Sequence, residues 1–164
     1  FVIDGFSKSY AMTGWRLGYA VLPEAFVRAV QNLHQSFFIS ASEFVQRAGI
    51  IALRECRPDV ERMASLYDER RRFLVPALRE LGFGVASMPQ GAFYVLANAR
   101  HLDADSRRLA SSILREARVA VTPGIDFGPG GEGYLRFSYA NSLDRIREGL
   151  ERIRARLASR GTPG

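Results

Sequence analysis

The sequence predicts an α/β chain, and three patterns lead to that prediction. Short apolar runs bounded by turn residues predict strands at 1–3, 83–86, 92–97, 119–121 and 134–139, and a further apolar run covers 17–22. Apolar side chains at helical spacing predict helices near 24–36, 40–53, 58–81, 104–117 and 141–157. Predicted strands and predicted helices are interspersed along the chain, as they are in proteins that pack helices against sheets.

Capping and breaker residues mark the bounds of several helices. Ser40 and Glu43 match the capping box that opens a helix. Pro58 fits the start of the longest helix, and Pro76 inside it predicts a kink or an early end. Gly82 is the expected C-cap of that helix.

Residues 128–133 fit the spacing G-x-G-x-x-G, yet we expect them to form a turn. A dinucleotide-binding fingerprint follows a strand and opens a helix, whereas this segment runs into the alternating strand 134–139. Within that strand Arg136 lies between apolar Leu135 and Phe137, where an arginine needs a partner.

Composition and charge limit the possible function classes. The chain has 164 residues and a net charge of +6, with arginines interleaved with acids along the predicted helices, so nucleic-acid binding is not expected. No apolar run of about 18 residues predicts a membrane span. The single Cys56 cannot form an internal disulfide and favours a cytoplasmic location, and the isolated His34 and His101 predict no metal site.

The first residues indicate that the sequence is part of a longer polypeptide. Phe1 stands where an initiator methionine would be, inside a run typical of a buried strand. Residues 37–39, Phe-Phe-Ile, form an apolar link that we expect a further domain or a second subunit to cover.

Lys8 is the first candidate functional residue. Of the 23 lysine and arginine residues it is the only lysine, and an ε-amine can lose its proton and form a Schiff base, which a guanidinium cannot. It follows the predicted strand 1–3 and the turn at Asp4 and Gly5, and open α/β sheets bind ligands beyond the carboxyl ends of their strands. Because Arg16 opens the next apolar run, we expect an amine and a guanidinium to face one crevice.

The segment 5–18, Gly-Phe-Ser-Lys-x-x-Ala-Met-x-Gly-Trp-Arg-Leu-Gly, resembles the cofactor-lysine signature of class I aminotransferases. These are the aspartate aminotransferase-like pyridoxal-phosphate enzymes of fold type I. The resemblance implies that Lys8 binds pyridoxal 5'-phosphate as a Schiff base and is the catalytic general base and acid. It also implies that Arg16 binds the cofactor phosphate and that Ser7 joins it. Gly5 stands where many relatives have a second phosphate-binding serine.

A second segment, Tyr-Leu-Arg-Phe-Ser-Tyr-Ala at 134–140, resembles the family's segment that binds the substrate α-carboxylate. The resemblance implies that Arg136 is the substrate-binding arginine, since a guanidinium fork matches a carboxylate. The structural alternative is a salt bridge from Arg136 to an acid of the same domain. The likeness extends from Gly5 to about Leu157.

The resemblance makes the expected fold and function more specific. Residues 1–56 would be the carboxyl-terminal remnant of the large cofactor-binding domain, and residues 57–164 the α+β small domain of a fold-type-I aminotransferase. The implied activity is amino-group transfer between an amino acid and a 2-oxo acid by a cytoplasmic homodimer. Because most residues that bind the cofactor ring would lie outside this chain, we expect the chain alone to be inactive.

Two alternatives to an aminotransferase share every motif. One is a lyase, decarboxylase or synthase of the same fold, because the Lys8 proton transfers would be steered mostly by residues outside this chain. The other is a non-catalytic, aminotransferase-like effector-binding module of a transcription regulator.

Overall fold

Helices dominate the first half of the chain and a small sheet forms in the second. The computed structural model describes the backbone of residues 1–160 and the side chains of residues 1–159. The strands in this range are β1 (Val2–Gly5), β2 (Gly18–Val21), β3 (Tyr94–Asn98), β4 (Thr122–Pro123) and β5 (Tyr134–Ser138). The α-helices are α1 (Phe6–Ser9), α2 (Glu24–Phe38), α3 (Glu43–Glu55), α4 (Arg57–Glu80), α5 (Ser106–Ala117) and α6 (Leu143–Arg160). Short 3₁₀ turns cover Thr13–Trp15, Gly124–Phe127 and Pro129–Gly131. The predicted α/β class is confirmed.

The chain divides into two units, Phe1–Ala64 and Ser65–Gly164, and the division falls inside α4. Residues 161–164, the last of the predicted second domain, lie outside the described residues. None of the helices within the described range is long and apolar enough to cross a lipid bilayer.

In the first unit, β1 and β2 pair antiparallel from Val2 opposite Val21 to Gly5 opposite Gly18. The strand predicted at the start of the chain is therefore confirmed, but the turn predicted at Asp4 and Gly5 is wrong, because both residues pair within β1. The predicted burial of the strand is also wrong. Phe1 is 75% exposed and Ile3 84% exposed, because within this unit the two-stranded sheet has no covered face.

The buried cluster of the first unit lies beside that sheet and is formed by Phe6, Met12 and Ala52. Helix α3 can approach it closely because residue 49 is glycine. A Cβ at Gly49 would lie 2.4 Å from Cδ2 of Leu17. The close packing of α3 therefore fixes both ends of the segment that carries Lys8 and Arg16.

The capping box predicted at Ser40 is not formed. Helix α3 begins at Glu43, and the Ser42 side chain that precedes it makes no cap hydrogen bond. The side-chain amide of Gln46 instead donates to the Ala41 carbonyl at 2.7 Å, which ties the first turn to the preceding chain.

In the second unit, three antiparallel strands form a sheet in the order β3-β5-β4. One face is packed against a core that includes residues of α4, α5 and α6, and its strand residues are at most 5% exposed: Val95, Ala97, Leu135 and Phe137. The alternate residues face the other way and are half-buried or exposed: Tyr94, Leu96, Tyr134 and Arg136. This second face, which we call the open face, places Arg136 at its centre.

Two predicted strands of the second unit are wrong. Residues 83–86 form only a single bridge, between Gly84 and Asn98, because the next carbonyl, of Val85, accepts hydrogen bonds from the Arg79 guanidinium. The strand predicted at 119–121 occurs one step later as β4, which is short because Pro123 has no N–H to donate.

Helix α4 runs through Pro76 and ends at Glu80, so the predicted early end is wrong. Pro76 is exposed, which allows water to bind the carbonyl that proline leaves without a donor. The predicted glycine cap is confirmed, since Gly82 has φ of +89° and the Phe83 N–H donates to the Leu78 carbonyl at 3.0 Å.

Candidate functional site

The segment 6–17 forms a loop whose two ends are held together by the pairing of Gly5 with Gly18. The Phe6 N–H donates to the Leu17 carbonyl at 3.1 Å, which closes the loop. Phe6 is 3% exposed and Met12 9% exposed, so two side chains anchor the loop in the buried cluster. Ser7 and Lys8 lie at the start of this loop and Arg16 lies at its end.

Lys8 lies in the short helix α1, directly after β1, as the sequence predicted. Its side chain is exposed, whereas Ser7 beside it is half-buried. The Lys8 carbonyl accepts the Ala11 N–H at 3.1 Å, so the backbone at this position is held in a tight turn. The structure thus presents the chain's one side-chain amine from a fixed backbone.

Arg16 has an unusual backbone. Its φ of +54° and ψ of 44° lie in the left-handed region, a conformation that costs a non-glycine residue about 1–2 kcal/mol. Such outliers are retained where the surrounding structure requires them, often at functional sites. Nη1 of Arg16 donates to the Thr13 carbonyl at 3.1 Å, the only hydrogen bond found for this guanidinium within residues 1–160.

The loop therefore offers three kinds of group: an amine, a hydroxyl and a guanidinium with donors to spare. An amine can bind an aldehyde covalently, and a guanidinium with a hydroxyl can bind a phosphate. The donor set fits a ligand that carries both an aldehyde and a phosphate.

Arg136 lies in the second unit, in the middle strand of the sheet. Its Nη2 donates to Oγ1 of Thr122 at 3.3 Å, and its Cζ lies 4.4 Å from the ring centroid of Tyr94 and 4.6 Å from that of Phe127. A salt bridge was the expected alternative to substrate binding by Arg136, but Arg136 forms none with any acid of the described residues. A half-buried guanidinium with two aromatic contacts and no acidic partner can bind an anion.

Sequence reasoning found Arg136 but missed the three side chains around it, Thr122, Tyr94 and Phe127. The sequence predicts Tyr94 only as one residue of the strand 92–97. The alternation of Val95 and Ala97 with Tyr94 and Leu96 was the available signal, because the two small buried residues place Tyr94 on the opposite face. Thr122 and Phe127 carry no such signal, since their contacts depend on the register between strands.

The glycine-rich segment is a turn, as predicted, and it fixes the approach to β5. A Cβ on Gly124 would lie 2.0 Å from the Gly131 carbonyl oxygen, so the two turns touch through their backbones. Glu132 accepts the N–H groups of Ser106 at 2.7 Å and Gly133 at 3.0 Å. These two hydrogen bonds, the one from Ser106 first, hold the pKa of the Glu132 carboxyl below its usual value.

Comparison with known proteins gives one family. The model of the family Aminotransferase class I and II matches residues 1–153. The chain is 43% identical to (5-formylfuran-3-yl)methyl phosphate transaminase of Methanocaldococcus jannaschii, over 93% of this chain and 40% of that protein. It is 41% identical to an aspartate aminotransferase of Pyrococcus horikoshii, over 92% of this chain and 39% of that protein.

Solved structures give the same result. An aromatic aminotransferase of Pyrococcus horikoshii OT3 superposes with a TM-score of 0.90 and 38% sequence identity, over 96% of this chain and 42% of that structure. The chain therefore spans about 40% of the length of the relatives it matches.

Proposed function

Because the chain belongs to the aminotransferase class I and II family, we propose that it carries the cofactor lysine and the substrate arginine of a pyridoxal-phosphate-dependent aminotransferase. The substrates are an amino acid and a 2-oxo acid. The observation that carries the proposal is the loop 6–17, which presents the only lysine at one end and Arg16 at the other, with the ends joined through Gly5 and Gly18.

The residues of this loop fit pyridoxal 5'-phosphate. Lys8 would hold its aldehyde through Nζ, and Arg16 would hold its phosphate together with the Ser7 hydroxyl. The donors of Arg16 not used by Thr13 support that role. When bound, the cofactor supplies an electron sink for the charge that develops at the substrate α-carbon.

Two residues of this chain act on the substrate in the proposed reaction. Arg136 binds the α-carboxylate with paired N–H donors and so orients the α-carbon. Lys8 would take the proton from that carbon at Nζ as general base and would then deliver it to the bound cofactor as general acid.

We also propose that activity requires more polypeptide than this chain. The chain spans about 40% of its relatives. The first unit exposes large apolar side chains, among them Phe37 at 73%, Phe38 at 72% and Ile39 at 81%. Apolar surface of this kind is usually covered in a finished protein. We infer that the chain is part of a longer cytoplasmic protein that acts as a homodimer. In that protein residues 1–56 end the large domain and residues 57–164 form the small domain.

The test is transfer of a labelled amino group. A longer polypeptide that carries this chain is incubated with pyridoxal phosphate, a panel of ¹⁵N-amino acids and a 2-oxo acid, and the ¹⁵N-labelled product amino acid is measured. We expect transfer that Lys8→Arg abolishes. Release of ammonia or carbon dioxide without a 2-oxo acid acceptor would favour the lyase or decarboxylase alternative, and ligand binding without turnover would favour a regulator module. Turnover by the 164-residue chain alone would refute the requirement for more polypeptide.

A further inference from the structure

The open face of the sheet in the second unit surrounds Arg136 with side chains that have no assigned role. Arg136 pairs with Thr122 of β4 on one side and with Leu96 of β3 on the other. Tyr94 lies one step along β3 on the same face, and diagonal neighbours in a sheet are within reach of long side chains. Phe127 ends the 3₁₀ turn between β4 and β5.

These neighbours make three contacts with the guanidinium of Arg136. Thr122 accepts one N–H of Nη2, and the rings of Tyr94 and Phe127 lie within 5 Å of Cζ, at 4.4 Å and 4.6 Å. Ring faces attract a guanidinium at such distances. Phe127 is itself 53% exposed, so its position over Arg136 leaves apolar surface in water that core packing would have covered.

We propose that Thr122, Tyr94 and Phe127 are positioning residues, which hold the plane of the Arg136 guanidinium so that its remaining N–H donors meet a carboxylate as a pair. This inference rests on the proposed function, in which Arg136 binds the substrate carboxylate. A free arginine side chain samples many rotamers, and fixing it before the ligand arrives lowers the entropy lost on binding.

The backbone holds the positioning residues in turn. The Tyr139 hydroxyl donates to the Ala92 carbonyl at 3.2 Å, and the Arg71 guanidinium donates to the Pro89 carbonyl. Both bonds fix the turn that leads into Tyr94. Phe127 follows Gly124, whose backbone touches that of Gly131. The aromatic contacts of Arg136 are therefore set by two rigid turns.

The experiment measures the mobility of the guanidinium and carboxylate binding separately. NMR of the longer polypeptide that carries this chain, labelled with ¹⁵N, follows rotation of the Arg136 guanidinium and its titration with pyruvate, with pyruvamide as the neutral control. The variants are Thr122→Val, which keeps the shape and removes the acceptor, Thr122→Ser, which retains it, Phe127→Leu and Arg136→Ala. Urea unfolding of each variant separates positioning from loss of fold.

We expect Thr122→Val to speed the rotation and to weaken pyruvate binding about threefold to tenfold, as the loss of one hydrogen bond predicts. We expect Thr122→Ser to remain within about twofold of the parent chain, and Phe127→Leu to lose about twofold to fivefold, as for a surface cation–π contact. The urea midpoints should stay close to that of the parent.

Each of the other outcomes overturns either the positioning role alone or that role together with carboxylate binding by Arg136. If Thr122→Val changes neither rotation nor affinity, or changes rotation alone, the positioning role is wrong while carboxylate binding by Arg136 stands. If the parent polypeptide binds pyruvate no better than its Arg136→Ala variant does, both the positioning role and the proposed carboxylate role of Arg136 are wrong. If a variant loses affinity only in step with its unfolding midpoint, its residue is structural and the positioning role is wrong.

Discussion

Replacing Tyr139 with phenylalanine tests how firmly the turn before β3 is held. The Tyr139 side chain is 1% exposed, and its hydroxyl donates to the Ala92 carbonyl at 3.2 Å. Ala92 has φ of +61°, a left-handed conformation that costs an alanine about 1–2 kcal/mol. The hydroxyl thus supports a strained turn, and Tyr139→Phe removes it while leaving the ring contact with Tyr67 in place.

The expected magnitude follows from one hydrogen bond. A buried neutral hydrogen bond contributes about 0.5–1.5 kcal/mol net, and the Gly91 carbonyl at 3.5 Å is too distant to add much. We therefore expect Tyr139→Phe to lower the free energy of unfolding by about 1 kcal/mol near neutral pH.

The effect should depend on pH in the alkaline range. Burial raises the pKa of Tyr139 above its ordinary value of 10.0. The unfolded chain ionises this phenol at lower pH than the folded chain does. The stabilisation of the folded chain by the protonated phenol is therefore complete below the unfolded pKa and is lost as pH rises through the folded pKa. The difference between the parent chain and Tyr139→Phe should narrow above about pH 10.

Urea unfolding followed by circular dichroism at about pH 7 and about pH 10.5 checks both expectations. Tyr134→Phe is the matched control, because no hydrogen bond of the Tyr134 hydroxyl is found in the part of the chain that is described, and it should change stability by less than about 0.5 kcal/mol. A loss below about 0.3 kcal/mol for Tyr139→Phe, or a difference between parent and variant that does not narrow as pH rises, would show that the Tyr139 hydroxyl does not stabilise this turn.

Three further predictions concern the sheet and its turns. Glu132→Gln should make stability fall less steeply as pH is lowered. The lowered pKa of the Glu132 carboxyl stabilises the folded chain above the unfolded pKa, and this stabilisation is lost as pH falls through the folded pKa. An acid-unfolding curve that the variant leaves unchanged would contradict this. Leu135→Ala, at a side chain with 0% exposure, should cost about 2–5 kcal/mol in urea unfolding, whereas Leu96→Ala on the open face should cost less than about 1 kcal/mol; equal costs would argue against the assigned faces. Gly124→Ala, whose Cβ would lie 2.0 Å from a carbonyl oxygen, should unfold at much lower urea than Gly130→Ala, which meets no atom within 4 Å; a Gly124→Ala chain as stable as Gly130→Ala would show that the turns do not touch.

Local pattern was sufficient for the helices and for the position of Lys8. Helical periodicity found α2 to α6 within a few residues, because each amphipathic stripe is written in consecutive residues. Lys8 and Arg16 were found from composition and a dense local motif. The left-handed backbone of Arg16 was not predicted, because an arginine gives no signal of a positive φ.

Features that depend on partners distant in sequence were predicted poorly. Residues 83–86 read as a strand, yet the Val85 carbonyl binds Arg79 instead of a strand neighbour. Phe1 to Ile3 read as buried because apolar residues usually are, but burial requires a covering layer that the first unit does not supply. The contacts of Arg136 with Thr122 and Phe127 follow from sheet register, which a one-dimensional pattern leaves open.

The proposed function requires that Lys8 is the amine that holds the cofactor. Lys8 is the only lysine of the 164-residue sequence, so no other lysine of this sequence can bind the aldehyde. The chain, and the longer polypeptide that carries it, are mixed with pyridoxal phosphate, reduced with borohydride, digested and analysed by mass spectrometry, with Lys8→Arg as control. We expect a phosphopyridoxyl group on Lys8 that the variant lacks. Phosphopyridoxyl groups found only on other amines, and none on Lys8 in either protein, would contradict this role of Lys8.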